Sequence, residues 1–226
     1  MVNALDFLKN KKSISLIIQT TQKCNLRCKH CYESECEYLK STMSIEVLEK
    51  IISLAEQQYT SISFLWFGGE PLMAGLDFYK KVVELQNKYR KPETEIRNSV
   101  QTNAVLLDDE FIAFFLKNSF NVSVSYDCQY NDFLRQKSDL VVKNIRNAIS
   151  KGLKINVLSV LHANNYKHQK EMIEFLTNEG IYAKFNRIFS SGEAAKNSEF
   201  LINDQCFVEE QKKEFSRWIA EEKEIG

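Results

Sequence analysis

The chain has 226 residues, thirty of them basic and thirty acidic, so its formal charge cancels at neutral pH. No net field draws it to nucleic acid, a membrane surface or acidic ligands, and no nucleic-acid partner is indicated. With 44% hydrophobic and 27% charged residues and only seven glycines and two prolines, collagen-like, linker-rich and disordered chains are excluded. No run approaches the roughly 18 apolar residues of a membrane span. Met1–Lys12 has no apolar core of secretory-signal length, so a cytoplasmic location away from the membrane is expected.

The first strand is predicted at Ser13–Thr20, followed directly by a cysteine-rich loop, Cys24-Asn25-Leu26-Arg27-Cys28-Lys29-His30-Cys31. Ser44 can cap a helix whose face is Ile45, Leu48, Ile52 and Ala55. A second strand over Ser61–Phe67 runs into Gly68-Gly69-Glu70-Pro71-Leu72, and Phe78, Val82 and Leu85 mark the next helix. The third strand, Glu95–Gln101, precedes a helix begun by Asp108 and carrying Phe111, Phe115 and Leu116. After a fourth strand at Asn121–Tyr126, Val141, Ile145, Ala148 and Ile149 define a helix closed by Gly152. The fifth strand is Lys154–Leu161, with a helix through Met172, Phe175 and Leu176 ending at Gly180. A sixth strand, Tyr182–Phe189, leads to a last helix through Phe215, Trp218 and Ile219. Continuous apolar centres such as Leu16-Ile17-Ile18 and Phe64-Leu65-Trp66-Phe67 are those of strands buried on both faces. Alternating strands and helices imply parallel pairing through right-handed crossovers, hence an α/β sheet or barrel in one domain.

Four of the six cysteines crowd into residues 24–36. In a reducing compartment such a cluster signals a metal site rather than a disulfide framework. Three thiolates within eight residues can wrap one small centre, because soft sulfur selects iron–sulfur clusters or zinc. Three ligands leave one iron of a cubane open to an exchangeable group. A zinc site completed by His30, Cys36 or a distant residue is the alternative, although zinc modules usually present paired spacings and no second pair exists here.

Cys-x3-Cys-x2-Cys resembles the signature of the radical S-adenosylmethionine superfamily, and Gly68-Gly69-Glu70-Pro71, one βα unit later, is similar to that family's Gly-Gly-Glu-Pro motif. Gln101-Thr102-Asn103 and Ser125-Tyr126-Asp127, with Asp132 and Arg135 after them, look most like the peptide- and protein-modifying branch that includes the anaerobic sulfatase maturases. That branch usually reads Gln-Thr-Asn-Gly and Ser-x-Asp-Gly-Pro. Here Ala104 and Cys128-Gln129 replace the glycine and the Gly-Pro. A β-carbon at 104 disfavours positive φ, so a differently running third loop is expected. The relatives usually continue into a cysteine-rich domain carrying auxiliary clusters, for which Cys36, Cys128 and Cys206 are too few and too scattered.

The resemblance implies a partial (β/α)6 barrel with parallel strands. One core domain would span 1–226, as an N-terminal segment (1–12), the barrel (13–190) and a loop with a C-terminal helix (191–226). It implies a 4Fe–4S cluster on Cys24, Cys28 and Cys31, with S-adenosylmethionine held by His30, Gly68, Gly69, Glu70, Pro71, Gln101, Asn103, Ser125 and Asp127. Glu70 would help to fix the methionine ammonium and His30 would lie near the adenine. All these segments follow the carboxyl ends of predicted strands, where α/β folds build their sites. Reductive cleavage of the cofactor would give a 5′-deoxyadenosyl radical that abstracts hydrogen from a peptide or protein side chain. An electron donor, and an auxiliary-cluster domain or subunit, are the further partners implied. A glycyl-radical activase or deazapurine-forming enzyme remains an alternative. So does a catalytically incomplete barrel acting as a binding subunit. No residue is assigned to catalysis of the hydrogen transfer itself. Cys128 and Cys206 read as plain thiols, and His162 and His168, lacking metal-like spacing, as solvent-facing or loop histidines.

Overall fold

The computed structural model of the protein describes residues 12–33 and 41–225, with side chains through Ala220. Most of the N-terminal segment, and Cys36, lie outside the described residues. Six strands form one sheet in chain order: β1 (Ser13–Thr21), β2 (Ser61–Gly68), β3 (Glu95–Thr102), β4 (Asn121–Ser125), β5 (Ile155–Leu161) and β6 (Tyr182–Arg187). The pairs β1–β2, β2–β3 and β5–β6 are parallel and begin at Ser13↔Ser61, Ser61↔Glu95 and Asn156↔Tyr182. Between the strands lie α1 (Ile45–Gln58), α2 (Leu76–Tyr89), α3 (Asp109–Lys117), α4 (Asn131–Leu134), α5 (Ser138–Ser150) and α6 (Gln169–Asn178). The short α7 (Glu193–Lys196) and the long α8 (Asp204–Ile225) follow β6. This is the α/β architecture with parallel strands that the sequence implies. Among the described residues no helix is long and apolar enough to cross a membrane.

The residues at the helix ends explain where they lie. Ser44 and Asp108 cap α1 and α3 by accepting from Val47 N (3.3 Å) and Phe111 N (3.0 Å). Gly152 and Gly180, both at positive φ, end α5 and α6.

The chain divides into two compact units. The first comprises Met1–Asn25, Tyr38–Ser123 and Asn144–Ile155; the second comprises Leu26–Glu37, Val124–Lys143 and Asn156–Gly226. In the first, Phe64 and Trp66 stack, and Tyr79 meets Phe111, Phe115 and Phe120 edge to face. Trp66 Nε1 and Gln86 Nε2 both donate to Asn98 Oδ1 (2.9 and 3.0 Å), which pairs these three buried side chains. In the second, Ala163 N donates to Phe200 O, and Gln211 on α8 donates to Gln169 on α6.

Burial departs from expectation in two places. β1 is an edge strand whose Ile17 is 69% exposed, so its apolar run is not buried on both faces. Phe215 and Trp218 predict their helix correctly, yet they stack on each other and are exposed rather than buried.

Candidate functional site

In the first unit, β1 leads through Gln22 and Lys23 to Cys24, and the loop after β2 sits directly on that path. Gly69 N donates to Thr21 O (2.9 Å) and Glu70 N to Lys23 O (2.7 Å). The approach is too close for any side chain. A Cβ on Gly69 would stand 2.5 Å from Lys23 O and 2.8 Å from Gln22 O, and one on Gly68 2.3 Å from Thr21 O. Pro71 then opens a 3₁₀ turn, Pro71–Ala74, where its missing N–H costs nothing.

Glu70 is fully buried. Its Oε1 accepts from Leu72 N (3.0 Å) and Thr102 Oγ1 (2.6 Å), and its Oε2 from Asn103 N (2.7 Å). Burial pushes its carboxyl up to about 7 in spite of these three donors. Its oxygens thus bind the β2 loop to the end of β3. Asn103 extends the tie: its Oδ1 accepts from Val105 N (3.0 Å) and its Nδ2 donates to Asn25 Oδ1 (2.8 Å), beside Cys24. Gln101, half-buried, lies on β3 just before this junction. Ala104 is fully buried at φ 60, so the third loop takes the left-handed turn despite its β-carbon, contrary to expectation. Thr102 on its N-terminal side and Asn144, donating to Ala104 O (2.8 Å), hold it there.

In the second unit, Asp127 follows the half-buried Ser125 and is itself fully buried. It accepts from Arg135 Nε (2.9 Å), Ser159 Oγ (3.2 Å) and Val160 N (2.7 Å). The Arg135 guanidinium also interacts electrostatically with Cys28. The flanking backbone makes the same connection: Lys29 N donates to Leu134 O (2.8 Å) and Arg27 N to Gln136 Oε1 (3.3 Å). The end of the cysteine loop is held from another side by α7, where Glu193 N donates to Cys31 O (2.9 Å) and Asn197 Nδ2 to Lys29 O (3.1 Å). A Cβ on Gly192, which sits at φ 53, would stand 2.4 Å from Cys31 O.

His30 is half-buried, and its buried Nδ1 has no partner among the described residues. Burial first, then Arg135 and His162, lower its pKa to about 3 against the opposing pull of Asp127, so it is neutral near pH 7. His162 is not solvent-facing as its sequence context suggests. It is fully buried between Phe133 and Phe200, with Nδ1 accepting from Asn164 N and Nε2 without a partner among the described residues. His168 is half-buried and pairs with Glu171.

Among the cysteines, Cys24 is exposed, Cys28 and Cys31 are half-buried and Cys206 is exposed. Cys128 is buried at φ 53, and burial beside Asp127 pushes its thiol up to about 12, unfit for a metal-binding thiolate. No three His, Cys, Asp or Glu side chains among the described residues are grouped to hold a single metal ion. A polynuclear cluster distributes its thiolates over different irons and needs no such tight group. The thiol set suits iron–sulfur ligation; Gln22 Oε1 and Asn25 Nδ2 in the first unit, and His30 Nδ1 in the second, are each buried without a partner among the described residues, as polar atoms that take a ligand are. The residues present fit the implied cofactors. Thr102, Arg135, Ser159 and Gly192 gained no site role from the sequence, since their roles depend on partners distant along the chain.

Residues 18–176 match the family described as the radical SAM superfamily. The serine-type anaerobic sulfatase-maturating enzyme of Klebsiella aerogenes is 31% identical over 196 residues, 80% of this chain and 48% of that protein. The cysteine-type enzyme of Clostridium novyi is 30% identical over 179 residues, 73% of this chain and 48% of that protein. A solved structure described as native anSMEcpe with bound AdoMet and Kp18Cys peptide superposes with a TM-score of 0.73 at 28% identity, covering 78% of this chain and 52% of that one. The chain spans about half the length of these relatives.

Proposed function

The chain belongs to the radical SAM superfamily, whose cofactors are a 4Fe–4S cluster and S-adenosylmethionine, and we propose that it is a maturase-type enzyme acting on a peptide or protein side chain. Cys24, Cys28 and Cys31 would hold the cluster, with Cys128 and Cys206 taking no part. When bound, the reduced cluster and S-adenosylmethionine supply the radical that removes a substrate hydrogen. Gly68, Gly69, Pro71, His30, Gln101 and Ser125 would line the S-adenosylmethionine site. Glu70, Asn103 and Asp127 would act chiefly by fixing the loops, because their polar atoms are engaged by protein donors and acceptors.

One observation carries this reading. The Gly-Gly-Glu loop is hydrogen-bonded to the backbone entering Cys24, so two family motifs far apart in sequence are built into one junction. A peptide substrate is supported by the maturase relatives and by the solved relative described with a bound peptide. An electron donor is a required partner, since cleavage starts from the reduced cluster.

The test is anaerobic reconstitution, followed by iron and sulfide analysis and incubation with dithionite, S-adenosylmethionine and peptides presenting Cys or Ser. The proposal expects one cluster, lost in Cys24→Ala, Cys28→Ala and Cys31→Ala but kept in Cys128→Ala and Cys206→Ala, together with 5′-deoxyadenosine, and a peptide of altered mass once a protein carrying auxiliary clusters is added. Zinc in place of iron, or a cluster that survives the triple substitution, overturns the ligand assignment. Cofactor cleavage that leaves every peptide and protein tried unchanged, even after a protein carrying auxiliary clusters is added, overturns the substrate class.

A further inference from the structure

Arg135 is anchored at one end and reaches a cysteine at the other. Its Nε donates to Asp127 Oδ2 at 2.9 Å, where the arginine side chain is 9% exposed and the aspartate fully buried. Asp127 is itself fixed by Ser159 and Val160 on β5, so the guanidinium is not free to swing. The backbone hydrogen bonds from Lys29 to Leu134 and from Arg27 to Gln136 hold the arginine segment against the loop on both sides of Cys28. The Arg135 charge completes the contact by acting on Cys28 itself. A guanidinium is permanently charged, presents several donors in one plane, and at such low exposure acts with little screening. Hydrogen bonds to ligand sulfurs are among the main determinants of an iron–sulfur potential, and second-shell partners orient ligands as well as tune them.

We propose that Arg135 is a positioning residue that fixes the Cys28 sulfur and raises the reduction potential of the cluster bound there, with Asp127 setting its orientation. The inference rests on the reading that Cys28 is a cluster ligand. A positive donor at the sulfur favours the reduced, more negative cluster, so the arginine makes the first electron easier to accept. Asp127 partly offsets that charge and holds the donor in place.

The experiment compares reconstituted wild-type protein with Arg135→Gln by iron and sulfide content and by an EPR-monitored redox titration. Because Arg135→Gln leaves a buried carboxylate without its partner, the double variant Arg135→Met with Asp127→Asn is measured beside it. The expected result is full iron content with a lower midpoint potential in both. Removing the donor should lower the reduced-to-oxidised ratio at fixed potential by roughly tenfold, about 59 mV for one electron. A full cluster with unchanged potential in the double variant overturns the role of Arg135 while leaving the ligand assignment intact. Loss of the cluster from both folded variants also overturns it, since Arg135 would then serve assembly rather than potential. Wild-type protein that holds no cluster, or a Cys28→Ala variant that keeps one unchanged, overturns the ligand reading and this proposal with it.

Discussion

Gly69 has no space for even a methyl group, since its nearest neighbours are backbone carbonyls of Gln22 and Lys23 rather than yielding side chains. Gly69→Ala is therefore expected to cost about 1–3 kcal/mol through displaced backbone and to weaken S-adenosylmethionine binding by protein whose cluster is verified, measured calorimetrically. Unchanged affinity would remove this loop from the cofactor site. Ala104 presents the opposite case, a β-carbon held at φ 60. Ala104→Gly relieves a strain of about 1 kcal/mol but loses a buried methyl and adds freedom to the unfolded chain, so stability should stay within about 1 kcal/mol of wild type. Ala104→Val adds branching and volume at a fully buried left-handed position and should cost about 2 kcal/mol or more. Glu70 makes a pH prediction. Its folded carboxyl titrates near 7 against an ordinary 4.5, so between these values the folded state binds more protons than the unfolded state. Stability should fall as pH rises through that window and then level off, with a contribution from this group of no more than about 3 kcal/mol. Urea unfolding at pH 5 and pH 8 tests it: Glu70→Gln should remove much of the decline, and an identical decline in both proteins would exclude Glu70 as its source.

At the scale of elements, the cysteine loop is held by short pieces contributed from elsewhere in the chain. Gly192, at the start of α7, approaches Cys31 O so closely that Gly192→Val would force the two backbones apart, with a further cost for a branched residue at φ 53. The expected outcome is folded protein, by circular dichroism, that retains little iron after reconstitution. Full iron content would show that the α7 contact is dispensable. Gly192 has no sequence signal, because a lone glycine after a strand reads only as a turn. The strands and longer helices were legible for the opposite reason. Ser44, Asp108, Gly152 and Gly180 act on immediate neighbours, and the apolar spacing around Leu48 or Val82 is local information. The same limit separates the legible part of the site from the rest. The cysteine spacing and Gly-Gly-Glu-Pro are contiguous, whereas Thr102 and Arg135 acquire their roles from Glu70 and from Asp127 and Cys28. His162 does lie in a loop, but its burial was not legible because nothing local announces Phe133 and Phe200 around it, and Ala104 turns left-handed because distant Asn144 helps to hold its carbonyl.

For the whole chain, the decisive question is which part of a radical reaction these 226 residues can perform. Starting it requires cluster ligands, a cofactor site and a reductant, and all the residues assigned to these roles fall between Cys24 and Asp127, within the span that matches the superfamily. Completing the modification draws on more in the related enzymes as the resemblance describes them, namely auxiliary clusters held by further cysteines. Outside the proposed ligands this sequence has Cys36, Cys128 and Cys206, of which Cys128 is buried with its thiol pushed up to about 12. Dithionite should therefore produce slow formation of 5′-deoxyadenosine without any peptide. Little modified peptide should accumulate until a protein or domain carrying the auxiliary clusters is supplied. Chromatographic quantification of 5′-deoxyadenosine and mass spectrometry of the peptide separate the two halves. Complete turnover of a peptide by this chain alone would refute the need for a partner. Protein with a verified cluster that forms no 5′-deoxyadenosine would refute the enzymatic reading and leave a cluster-bearing barrel with a binding role.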